Sequence, residues 1–97
     1  MNKGEKIEVV QNLIDELRQM PKKDKEKLND FIYKLKGIIR GIFKNSESMK
    51  YYLDQIDALI DGNRVIDWNS YDNSAEETIR LGIGNVLNMI LNELKVS

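Results

Sequence analysis

The sequence predicts an all-α protein, a small four-helix bundle, on three observations. Apolar residues recur at steps of three and four over four separate stretches, the mark of one apolar stripe on a 3.6-residue helix. Proline, glycine and short polar clusters divide those stretches. No two runs of alternating character exist that could pair as strands. The predicted architecture is a helical hairpin over 3–20 and 21–44, then helices over 47–61 and 75–95. Residues 62–74 form an ordered connecting loop, and 1–97 make one helical domain. A chain of 97 residues buries only about 60–70% of its unfolded surface, so its core is modest and oligomerisation would complete it.

In the first helix Ile7, Val10, Leu13, Ile14 and Leu17 share a face, with Glu5, Glu8, Asp15, Glu16 and Arg18 outside it. Pro21 ends that helix, because it disfavours helical geometry in the residue before it. Pro21 also suits the first turn of a second helix, where its missing N–H costs nothing. There Leu28, Phe31, Ile32, Leu35, Ile38, Ile39, Ile42 and Phe43 form the longest stripe in the chain. Gly37 and Gly41 interrupt it, each costing up to about 1 kcal/mol relative to Ala. Such a pair marks either a close helix approach or a weak point. Either Ser46 or Ser48 caps a third helix carrying Met49, Tyr52, Leu53, Ile56, Leu59 and Ile60. It stops at Asp61-Gly62-Asn63. The alternative is a single rod running through residues 44–48. Ser74-Ala75-Glu76-Glu77 is a capping box opening a fourth helix, whose inward positions are Ile79, Ile83, Val86, Leu87, Ile90, Leu91 and Leu94, with Met89 extending the face. Gly82 and Gly84 near its start permit tight packing against a neighbour.

Composition excludes several kinds of chemistry. With no Cys and no His, the chain has no disulfide, no thiolate or imidazole metal ligand and no His-based acid or base. No cofactor, no metal site and no catalytic residue is expected. No run approaches the ~18 uncharged apolar residues of a membrane span, and the charged start MNKGEKIEVV is unlike a signal peptide. The expected setting is cytoplasmic.

Charge is distributed unevenly. Residues 18–50 carry ten basic groups against four acidic, whereas residues 51–97 carry three against eight. The candidate basic face is Lys22, Lys23, Lys27, Lys34 and Arg40, with Lys25, Lys36 and Lys44 beside them. Such a face can contact phosphates by counterion release. It can equally be the solvated outside of a helix, since Asp24, Glu26 and Asp30 are interleaved.

The loop gathers the one Trp with Arg64, Asp67, Tyr71 and several amides within a dozen residues. Long ordered connections often carry function, and Trp, Tyr and Arg are favoured interface anchors. Arg64, Asp67, Trp68 and Tyr71 are therefore candidate partner-binding residues, joined by Tyr51, which adjacency to Tyr52 turns away from the core. Trp68 can also serve as a plug for the end of the bundle. A calcium loop is excluded by spacing: the twelfth position from Asp67 is Thr78, where a Glu is needed.

These features lead to a non-enzymatic protein–protein interaction module, a small regulator or inhibitor that binds another protein and forms homodimers. Ile, Asn and Lys supply about a third of the residues, a bias of AT-rich bacterial or phage genomes. In size and composition the chain is similar to small bacterial immunity proteins and phage-encoded inhibitors, a likeness that assigns no residue a role. Two alternatives stand beside this reading. One is a nucleic-acid-binding regulator using helix 21–44. The other is a helical oligomer binding a small ligand or nucleotide, with Arg64, Arg80 or Tyr51 in contact.

Overall fold

The Asn2 side chain accepts the Glu5 N–H at 2.8 Å and so caps α1, Lys3–Gln19. The computed structural model describes residues 1–62 and 73–96. Its further helices are α2, Lys25–Phe43; α3, Glu47–Gly62; and α4, Asn73–Val96. Among the described residues there is no strand, and the fold is the four-helix bundle that the apolar stripes predict.

Boundaries differ from expectation where side chains compete for the backbone. Met20 is extended ahead of Pro21, as predicted, but Pro21 does not open the second helix. Asp24 does, by accepting the Lys27 N–H at 3.0 Å, so Lys22 and Lys23 lie in a turn rather than in a helix over 21–44. Lys23 has φ 64°, a left-handed conformation that a helical first turn does not contain. At the other end Lys44 (φ 37°) and Asn45 (φ 60°) are both left-handed, which divides α2 from α3 and excludes the single rod. Ser46, not Ser48, is the cap of α3, since its Oγ accepts the Met49 N–H at 3.2 Å. The fourth helix begins at Asn73, one residue ahead of the expected capping box rather than at Ala75.

The helices run up, down, up, down. α1 packs most extensively on α4, α4 on α3, and α3 on α2, while α1 and α2 make the slightest seam of the ring. The core is one cluster in which Leu28, Leu35, Ile39, Ile56, Ile79, Ile83, Leu87 and Ile90 are almost wholly buried. Gly82 explains the close α3–α4 approach. A Cβ there would fall 2.8 Å from Leu59 Cδ1 and nearer still to its Cδ2. Gly37 and Gly41 serve no such purpose, because a Cβ at either would meet nothing within 4 Å and both positions are exposed.

Candidate functional site

The first two turns of α4 hold down the α1–α2 turn. Glu76 follows the spacing of Ile79 and Ile83 and therefore faces inward, 5% exposed. Both of its carboxylate oxygens accept the backbone N–H of Lys23, at 2.9 and 3.0 Å. One turn on, the Arg80 guanidinium donates to the carbonyls of Leu17 (3.0 Å), Met20 (2.9 Å) and Pro21 (3.2 Å). The Met20 and Pro21 carbonyls lie beyond the last turn of α1, and the Leu17 carbonyl also accepts the Met20 N–H at 3.4 Å. Glu76 and Arg80 lie 3.9 Å apart, so each charge offsets the other where water is scarce. Arg80 is thus engaged by backbone within the fold, the position that the small-ligand alternative assigned to a ligand.

A second polar network joins α3 to α4. Ser48 Oγ donates to Glu93 Oε1 at 2.9 Å, and the Tyr52 hydroxyl donates to the same oxygen at 3.3 Å. Burial, then the Glu93 charge and hydrogen bond, and finally Tyr51 push the Tyr52 hydroxyl up to about 12. Tyr51 stacks edge-on to Tyr52 at 5.4 Å between ring centroids and remains 51% exposed.

Beyond these networks lies the surface that distinguishes this molecule. From Leu81 to Asn92, α4 carries no charged residue. Its outward positions are Leu81, 66% exposed, with Asn85, Asn88, Met89 and Asn92. The adjoining flank of α3 carries Ser48, Tyr51, Gln55 and Ala58, again without charge, and Tyr51 and Ala58 are exposed. Among the described residues the other exposed faces carry charge: Glu8, Asp15 and Arg18 on α1; Glu26, Asp30 and Lys34 on α2, beside the uncharged Tyr33, Gly37 and Gly41; Lys50, Asp54 and Asp57 on the side of α3 toward α2. In a chain with 32% charged residues, a charge-free strip across two helices is the exception.

Beside this strip an open groove of about 440 Å³ runs between α1 and α4. Leu17, Leu81, Gly84, Asn85 and Asn88 line it together with the charged Arg18, Lys22, Lys23 and Glu77. Larger by volume, at about 530 Å³, is the groove along the α1–α2 seam, but Asn12, Asp15, Glu16, Asp30 and Lys34 line it as solvated side chains. We place the candidate site on the charge-free strip, where desolvation costs least.

The five basic residues singled out in the sequence occupy three places. Lys22 and Lys23 edge the α1–α4 groove. Lys27 and Lys34 line the α1–α2 seam, Lys34 pairing with Glu16 at 2.8 Å and Lys27 reaching Asp24 at 4.0 Å. Arg40 lies in the α2–α3 groove near Lys36, itself paired with Asp57. The outermost line of α2 holds Glu26, Asp30, Tyr33, Gly37 and Gly41 instead. Of the partner-binding candidates, Tyr51 is on the charge-free strip, whereas Arg64, Asp67, Trp68 and Tyr71 lie outside the described residues, as does the loop from 63 to 72. Among the described residues no helix is long and apolar enough to cross a membrane.

Sequence reasoning placed Glu76 in a capping box and Arg80 on a ligand, and missed both their hold on the α1–α2 turn and the strip. The signal for Glu76 was present, since a carboxylate three residues before Ile79 and seven before Ile83 must face the core. No family model matches the chain, and no characterised protein or solved structure is significantly similar to it.

Proposed function

We propose that this chain is a non-enzymatic protein–protein interaction module, a small bacterial or phage regulator that acts by binding a protein through the α3–α4 strip. The observation behind this reading is the loss of charge along that strip with Leu81, Met89 and Tyr51 exposed on it. Depletion of charge together with aromatic and methionine side chains is the compositional signature of interface centres. The scatter of the lysines, several of them paired within the fold, gives less support to a phosphate-binding role. Absence of cysteine suits a cytoplasmic setting.

Site-specific photocrosslinking tests the reading. A photoreactive residue at Leu81 or Asn88 should link the chain to protein, resistant to nuclease and to high salt. The same probe at Glu8 or Asp30 should give little or none. Equal labelling from all four positions, or products that vanish with nuclease, would defeat it.

A further inference from the structure

We infer that the partner held by the strip is a second copy of this chain, bound about a two-fold axis with the two α4 helices antiparallel. The inference rests on the interaction-module reading and gives that module its partner. Four features of the chain point the same way.

The exposed residues Leu81, Asn85, Asn88 and Asn92 follow steps of four, three and four, the recurrence of a helix–helix seam. In an antiparallel pair centred between residues 86 and 87, Asn85 meets the partner subunit's Asn88 and Leu81 meets the partner subunit's Asn92. An amide both donates and accepts, so it is its own complement, whereas a lysine or a glutamate set against its own copy repels.

Charge reappears on the outer face only beyond the strip, as Glu77 at one end and Lys95 at the other, both exposed. Eighteen residues is about five helical turns, so the two charges lie along one line of the helix surface. Their midpoint, residue 86, lies within half a residue of the centre that pairs the asparagines. The same two-fold therefore sets each Glu77 beside the partner subunit's Lys95. Among the described residues neither side chain makes an ion pair within its own chain. A parallel pairing would set Glu77 against Glu77 and Lys95 against Lys95.

Size suits a reversible contact. From Glu77 to Lys95 the contact extends about 27 Å, and two helices abreast are roughly 20 Å wide. That is on the order of 500 Å² per protomer, below the ~800 Å² of a standard interface and in the range of weak, reversible ones. Finally, a net charge of −1 leaves little general repulsion between copies. With three amides in the seam the contact is wet, and we expect a dimer dissociating at about 1–100 μM.

Sedimentation equilibrium on the full chain tests this, with circular dichroism to check that each variant keeps its helices. The wild type should be dimeric at several hundred micromolar. Leu81→Lys and Asn88→Lys, both at exposed positions, should be monomeric with unchanged helicity. Glu77→Lys and Lys95→Glu should each weaken self-association about tenfold. An equimolar mixture of the two variants, or both substitutions in one chain, should restore it. Loss with either charge variant but no recovery on mixing would overturn the antiparallel register. A wild type that stays monomeric while Leu81 still crosslinks to another protein would overturn the second copy and leave the interaction module standing. A monomer that crosslinks to nothing from the strip would remove both.

Discussion

α1 forms two seams, and they are built differently. Toward α4 its packing is the most extensive in the bundle, with a groove of about 440 Å³ beside it, and it is fastened at its end by Glu76 and Arg80, whose partners are backbone groups. Toward α2, its neighbour in sequence, it leaves open grooves of about 530 and 290 Å³ lined largely by polar side chains. The ion pair across that second seam, Lys34 with Glu16, has both side chains about half exposed. The contrast teaches that a short connection sets direction but not intimacy of packing. α4 has the longest helix and an apolar face along it, and α1 follows that face.

Breaking one fastening on each seam measures the difference. Glu76→Ala strands the Lys23 N–H and leaves Arg80 beside no carboxylate, and should cost about 2–3 kcal/mol. Glu16→Ala removes a solvated pair and should cost less than about 0.5 kcal/mol. Urea titrations at unchanged slope report both. Similar costs for the two variants would erase the distinction between the seams.

The α3–α4 seam extends the comparison through pH. The Tyr52 hydroxyl is raised to about 12 in the fold and titrates near 10 when unfolded. The folded state thus holds its proton more tightly. Its contribution is complete below pH 10, declines between pH 10 and 12, and is gone above. Wild-type stability should fall across that window by up to about 2 kcal/mol more than that of Tyr52→Phe, which cannot ionise there. Parallel pH profiles for the two proteins would show that Tyr52 is not buried against Glu93.

Glycines give the smallest and most local contrast. Gly37→Ala and Gly41→Ala lie on an open helix face and should each stabilise by about 0.4–1 kcal/mol, a few degrees in melting temperature. Gly82→Ala has the same propensity to gain, yet its Cβ must displace Leu59, so it should gain less than either. A larger gain at Gly82 would mean that α3 and α4 are not in close contact there.

The four helices were legible because their stripes are long and keep the helical period: the inward positions read for α4, from Ile79 to Leu94, are buried except Met89, which was read as extending that face and is 36% exposed. The start of α2 was misread because Pro21 and Asp24 both fit a helix start, and only the hydrogen bond from Lys27 decides between them. The basic face was legible as composition alone. Its residues leave the core stripe of α2 by opposite flanks, which counting charges does not reveal. The strip was overlooked for the reverse reason, since attention to charged and aromatic residues passes over a run of asparagines. Only exposure shows that Leu81 and Met89 stand outside the core rather than in it.

Three of the four seams join helices that follow one another in sequence, but the α1–α4 seam spans separations of 53 residues from Lys23 to Glu76 and 92 from Lys3 to Lys95. Closing it therefore carries the largest loop entropy of any step toward the native state. If the neighbouring seams form first, as chain locality favours, the Glu76 fastening is absent from the folding barrier. Glu76→Ala should then shorten the lifetime of the native state and leave the rate of its formation nearly untouched. The last seam to close is the one that sets how long the bundle stays shut.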